Sequence, residues 1–69
     1  MNWVDHESGS SEATEGPATL GVYPCQGVFL TRVSLVNEPR FGCAETRELG
    51  KTLAEKHLRT LLLNLARQG

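Results

Sequence analysis

The C-terminal third of the chain carries its strongest pattern, because apolar residues recur there at helical spacing from about residue 43 to residue 67. The recurring positions are Leu49, Leu53, Leu58, Leu61, Leu62 and Leu65, with Gly50 and Ala54 between them. At 100° per residue these positions sweep roughly 220° of the circumference, whereas a surface helix needs an apolar stripe of about 100°. The pattern predicts one long amphipathic helix with more apolar surface than so short a chain can cover.

Charged residues at the two ends support this helix. Glu45 and Glu48 lie near its positive N-terminal end, and Arg67 lies near its negative C-terminal end. Gly50 is the weak point, since glycine inside a helix costs about 1 kcal/mol relative to alanine. It either breaks the helix or lets another backbone approach closely, and the sequence is compatible with both interpretations.

A hairpin is predicted before the helix. Residues 28–36 alternate and are rich in β-branched and aromatic side chains, and residues 19–23 form a shorter candidate strand. Proline and glycine in the intervening residues 24–27 are typical of a turn. The alternation places Phe29, Thr31, Val33 and Leu35 on a core face and Val28, Leu30, Arg32, Ser34 and Val36 on a mixed face. Residues 37–42 are expected to connect the hairpin to the helix, with Asn37 as a cap.

The first 18 residues have a different composition. They hold four acidic residues and no lysine or arginine, in a background of small polar residues. Such a segment is typical of disorder, because it buries too little apolar surface to offset its ordering entropy. Gly16-Pro17 marks the boundary. The predicted fold is therefore α+β: a disordered acidic tail over residues 1–18, then a ββα domain of hairpin and helix over residues 19–69.

Chain length and charge narrow the function. A chain of 69 residues forms one domain at most, and a lone hairpin under one helix is marginal in water. This predicts a dimer or a docked partner. The residues after the tail carry a net charge of +3, within a net charge of −1 for the chain, and this is far below that of committed nucleic-acid binders.

The residues available for chemistry favour binding over catalysis. Two cysteines and two histidines show no metal-ligand pairing, and Cys43 and His57 would lie about 21 Å apart along one helix. We therefore expect no metal, no cofactor, no catalytic residues and no small-molecule substrate. Without a membrane span or a signal segment, a cytoplasmic location is expected. Cys25 and Cys43 are then expected to be free thiols, although a disulfide between them stays open.

The leading functional hypothesis is a small protein-binding accessory factor: an inhibitor, an adaptor or an assembly subunit. The predicted partner-binding residues are Leu58, Leu61, Leu62, Leu63 and Leu65, and the partner is another protein or a second copy of the chain. Leu63 supports this hypothesis because it falls on the otherwise charged side of the helix. Trp3 is either an anchor that orders on binding or an uncommitted residue of the tail.

The alternative hypothesis is a dimeric DNA-binding regulator that resembles the ribbon–helix–helix architecture. Arg32 and Ser34 would then read the groove from the outward face of the second strand. The turn between two helices would lie at Gly50-Lys51-Thr52, and the first helix would run from about residue 39 to residue 49. Gly42 lies inside that first helix, which also lacks a clean apolar stripe.

Overall fold

The fold is a five-stranded antiparallel sheet followed by one helix, and the computed structural model describes residues 2–35 and 38–68. The elements are β1 (Val4–Asp5), β2 (Ser11–Glu15), β3 (Ala18–Cys25), β4 (Val28–Leu35), β5 (Glu38–Ala44) and α1 (Arg47–Gln68). The strands lie in the sheet in chain order, so each pairs with the next, and α1 packs across one face. The α+β class predicted from the sequence is confirmed.

The predicted hairpin is present as β3 and β4. The two strands pair from Thr19 opposite Ser34 to Cys25 opposite Val28, which leaves a loop of two residues. Gln26 and Gly27 both adopt positive φ, at 50° and 86°. A two-residue loop with positive φ at both positions has the type I′ twist that matches the twist of the flanking strands. The predicted core face of β4 is observed in three of its four residues, since Thr31, Val33 and Leu35 are buried and Phe29 is half-buried.

The N-terminal region differs from the predicted acidic tail, because it supplies two strands of the sheet. β2 pairs with β3 along its whole length, and its Ser11 and Ala13 are buried. Composition gave no sign of this, since the buried side chains are small and add little hydrophobicity. Gly16, at a φ of 56°, starts a tight turn before Pro17, whose ring fixes a negative φ. The predicted domain boundary is therefore a hairpin turn between β2 and β3.

The segment before the helix also differs from its prediction. The chain predicted to connect hairpin and helix contains β5, an edge strand, where a proline such as Pro39 is tolerated. The helix begins at Arg47 and not at residue 43, because Thr46 acts as its N-cap: the Leu49 amide donates a hydrogen bond to Thr46 Oγ1 at 3.1 Å. The predicted cap at Asn37 lies outside the described residues.

The core lies between α1 and one face of the sheet. It contains Ala13, Ala18, Leu20, Val33 and Leu35 from the strands and Ala54, Leu58 and Leu61 from the helix. Gly50 does not break α1. A Cβ atom at Gly50 would lie 2.8 Å from Val22 Cγ1, so this glycine lets the helix approach β3 closely.

The strand register decides which side chains lie beneath the helix. Residues directly opposite one another on neighbouring strands point to the same face of a sheet. One row across the five strands, which faces α1, is Asp5, Ser11, Val22, Thr31 and Gly42. The adjacent row points the other way and is Val4, Glu12, Gly21, Arg32 and Phe41. We call this second side the open sheet face, because α1 does not cover it.

Candidate interaction surfaces

The structure divides the five leucines predicted to bind a partner into two groups. Leu58 and Leu61 are only 4% and 2% exposed, so they lie in the protein's own core and not on its surface. They face the sheet from the same side of α1 as Ala54 and complete the core. Helical periodicity identified the apolar side correctly but did not show that the protein's own sheet covers part of it.

The other three leucines are exposed: Leu62, Leu63 and Leu65 at 45%, 58% and 47%. At 100° per residue, Leu65 lies within about 20° of the line through Ala54 that faces the sheet. Its exposure therefore means that α1 extends past the residues that cover it. Together with the exposed Ala66, these leucines form an apolar arc of about 160°. We call Leu62, Leu63, Leu65 and Ala66 the helix-end patch.

Basic residues lie along one side of the helix-end patch, the side of Leu63. Lys56, Arg59 and Arg67 are exposed on α1, and residues 56–67 contain no aspartate or glutamate. The rim of the patch is therefore positively charged on that side. An apolar centre with a charged rim is the usual anatomy of a protein-binding surface.

A second exposed surface is the open sheet face. Its large apolar side chains are Val4, Tyr23, Leu30 and Phe41, all of them exposed. The Tyr23 ring lies across Gly21, since a Cβ atom built on Gly21 would overlap that ring. Beside it, a depression of about 570 Å³ opens mainly over β1, β2 and β3, with Val4, Glu12 and Tyr23 among its lining residues.

Arg32 and Ser34 lie on the open sheet face, as the DNA-binding alternative required. Arg32 is exposed and Ser34 is half-buried. The architecture of that alternative is not observed, however. Its first helix was placed over residues 39–49, and most of that segment is β5 and the approach to α1. Glu12 shares the row of Arg32, so the surface around these two residues is of mixed charge.

Contacts to α1 hold the N-terminal segment in place. The Trp3 indole Nε1 donates a hydrogen bond to Glu55 Oε2 at 2.9 Å, and the Lys51 Nζ lies 5.9 Å from the centre of the Trp3 ring. Trp3 therefore packs against the protein's own helix, and the prediction of an uncommitted tail residue is wrong. Glu55 is the acceptor that a half-buried indole needs.

Asp5 makes the charged contact between the N-terminal segment and α1. Its Oδ1 accepts a hydrogen bond from Ser11 Oγ at 2.6 Å and lies 3.0 Å from Lys51 Nζ. The Ser11 hydrogen bond, followed by Lys51, lowers the pKa of Asp5 below its ordinary value. The hydrogen bond to Asp5 in turn raises the pKa of Lys51. Both shifts favour the charged pair at neutral pH, so these groups join β1 to the helix.

The cysteines and histidines do not converge. Cys25 and Cys43 are free and exposed, and β4 separates their strands, so a disulfide between them is not formed. Within residues 2–35 and 38–68, no three potential metal-ligating side chains form a group. His6 Nε2 lies 3.2 Å from Glu12 Oε1 on the open sheet face, and His57 lies against β5 at Gly42.

Sequence reasoning missed the apolar content of the open sheet face. Val4 was assigned to the tail and Phe41 to a connection, so neither was considered as part of a strand. The alternation of residues 28–36 did place Leu30 and Arg32 on an outer face. The missing signal was the register of the neighbouring strands, which depends on contacts between distant residues.

The described residues contain no helix that is both long and apolar enough to cross a membrane. Comparison of the chain with protein-family models, with curated proteins and with solved structures gave no match.

Proposed function

We propose that this protein is a small protein-binding accessory factor that acts through the helix-end patch. One observation carries the proposal: three leucines are exposed where α1 extends past its own sheet. The core is already complete without them, since Leu58 and Leu61 supply the helix side of it. Exposed apolar side chains grouped on one surface commonly mark an interaction site.

The helix-end patch suits a partner that offers a groove. A helix that binds in a groove uses apolar anchors on one side, at spacings of three and four residues. Leu62, Leu65 and Ala66 have this spacing. The basic rim formed by Lys56, Arg59 and Arg67 favours acidic side chains at the edges of that groove, since complementary charge sets specificity and association rate.

Binding, and not catalysis, is the role that the charged groups support. The ion pairs of the described residues join His6 to Glu12, and Lys51 to Asp5 and Glu48. Each of these pairs lies at the surface and includes a well-exposed carboxylate. Their contacts are accounted for by local structure and by attachment of the N-terminal segment to α1.

Affinity capture with matched charge variants tests this proposal. Leu62→Asp and Leu65→Asp place an acid in the helix-end patch, whereas Leu49→Asp places one on an equally exposed leucine near the start of the same helix. We expect the tagged wild type and Leu49→Asp to retain the same protein from the native host, and the two patch variants to lose it. Circular dichroism should show that all four proteins are folded. Equal capture by the patch variants would contradict the proposal.

A further inference from the structure

In the row across the middle of the open sheet face, residues at equal distances from the central strand are complementary to each other in charge or in apolar character. From β1 to β5 it contains Val4, Glu12, Gly21, Arg32 and Phe41. Gly21 is at the centre, on the third of five strands. An acid and a base flank it at equal distances of one strand, and an apolar side chain ends the row on each side. If the same row is laid over it in the opposite strand order, Arg32 therefore lies opposite Glu12, and Phe41 lies opposite Val4.

The two halves of the open sheet face are also complementary in shape. The depression of about 570 Å³ is lined mainly by β1, β2 and β3, and Val4 and Glu12 are part of its wall. The opposite half projects, since Phe41 is 68% exposed on β5 and Leu30 is exposed on β4, while the exposed Arg32 lies between the two halves and also lines the depression. One half is thus concave and the other half bears the projecting side chains.

We propose that two copies of this chain form a dimer by stacking their open sheet faces about a twofold axis that runs parallel to β3. Such a rotation reverses the order of the strands and keeps each row at its own level. It lays β4 and β5 of one copy over β2 and β1 of the other. Arg32 then meets Glu12 of the second copy and Phe41 meets Val4 of the second copy, and symmetry makes each contact occur twice.

The second copy fits this surface better than a foreign protein does. A foreign partner would have to match one acid, one base and two apolar ends in order, whereas a second copy supplies that match by symmetry alone. Two antiparallel sheets pack face to face at about 10 Å with nearly aligned strands, which is the arrangement that this axis gives. His6, 3.2 Å from Glu12, helps to orient the carboxylate that receives Arg32.

This dimer goes beyond the proposed function and uses a different surface. The helix lies on the other side of the sheet, so the helix-end patch remains free for its own partner. The contacts proposed for the dimer involve Val4, Glu12, Arg32 and Phe41, and none of these residues belongs to the helix-end patch. Failure of one proposal therefore leaves the other to be judged on its own data.

Sedimentation equilibrium of charge-reversal variants tests the dimer. Wild type should show a monomer–dimer equilibrium over a concentration series from micromolar to millimolar. In Glu12→Arg each dimer would place two arginine pairs together, and in Arg32→Glu two glutamate pairs, so each variant alone should dissociate at least about tenfold more readily. The mixture of these two variants should form a heterodimer of near wild-type affinity, since every arginine then faces a glutamate.

The double variant Glu12→Arg/Arg32→Glu should also recover the dimer, and Leu65→Asp in the helix-end patch should keep it. Circular dichroism of each single variant should match wild type, because both residues are exposed. Three results would each overturn the proposal: a wild-type monomer at every concentration, single variants that dimerise as wild type does, or a mixture that associates no better than its components. Recovery in the mixture cannot arise from a purely structural role of either residue.

Discussion

At the residue scale, two buried polar atoms in the described part of the chain lack a hydrogen-bond partner where α1 packs over β4 and β5. Thr31 Oγ1 and His57 Nδ1 are buried and have no hydrogen-bond partner among the described residues. Both residues border Gly42, where a Cβ atom would lie 2.8 Å from Thr31 Oγ1 and 3.0 Å from His57 Cε1. A buried hydroxyl without a partner costs on the order of 1–3 kcal/mol, because it has lost water and gained nothing in return.

Replacing that hydroxyl by a methyl group should therefore stabilise the protein. We expect Thr31→Val to raise the free energy of unfolding by about 1 kcal/mol, since valine has the same shape and favours strands. Urea unfolding followed by circular dichroism measures this. Thr19→Val is the matched control, on an exposed position of β3, and should change stability far less. A loss of stability in Thr31→Val would show that the hydroxyl has a partner in solution.

At the element scale, α1 is determined by packing more than by helix propensity. Gly50 is buried and faces Val22, which is itself fully buried and stiff at its branched Cβ. Propensity alone predicts that alanine at this position stabilises the helix by about 1 kcal/mol. The added Cβ atom would lie 2.8 Å from Val22 Cγ1, and overpacking of this kind costs about 1–3 kcal/mol.

We therefore expect Gly50→Ala to lower the free energy of unfolding by about 1 kcal/mol, against the propensity scale. Thr52→Ala, on the exposed side of the same helix, should show no comparable loss. Adding Val22→Ala to Gly50→Ala tests the cause, because the smaller residue makes room for the new methyl group. The double variant should then be more stable than the sum of the two single changes predicts. Strict additivity would argue against the steric explanation.

Two of the structural elements, the β3–β4 hairpin and the helix, could be predicted from the sequence. The hairpin and the helix each have a local signal: the alternation of residues 28–36 and the leucine spacing of α1. β2 has no such signal, because its buried Ser11 and Ala13 are small and its other residues are polar. β5 was missed because residues 37–42 were expected to connect the hairpin to the helix. In the sheet, Pro39 lies on an edge strand and Gly42 leaves room beneath the helix.

At the scale of the whole molecule, the candidate surfaces follow from which apolar residues the fold covers. The sequence identified Leu62, Leu63 and Leu65 correctly as exposed residues but included Leu58 and Leu61, which the sheet buries. Periodicity predicts which side of the helix a side chain lies on, but only the tertiary fold determines whether another part of the chain covers that side. The pattern on the open sheet face required the register of all five strands, and no local segment contains that information.

The N-terminal segment belongs to the folded unit, and its removal tests the fold as a whole. A chain without residues 2–16 loses Trp3, Ser11 and Ala13, which pack beneath or beside α1, and leaves β3 as an exposed edge. We expect a loss of more than about 2 kcal/mol in the free energy of unfolding, since buried contacts and a strand pairing disappear together. Urea unfolding of the truncated and full chains measures this loss.

Amide exchange of the full chain should also be slow at Ala13, whose strand lies between two others. Unchanged stability after truncation, with fast exchange at Ala13, would instead support the disordered acidic tail that composition alone predicts.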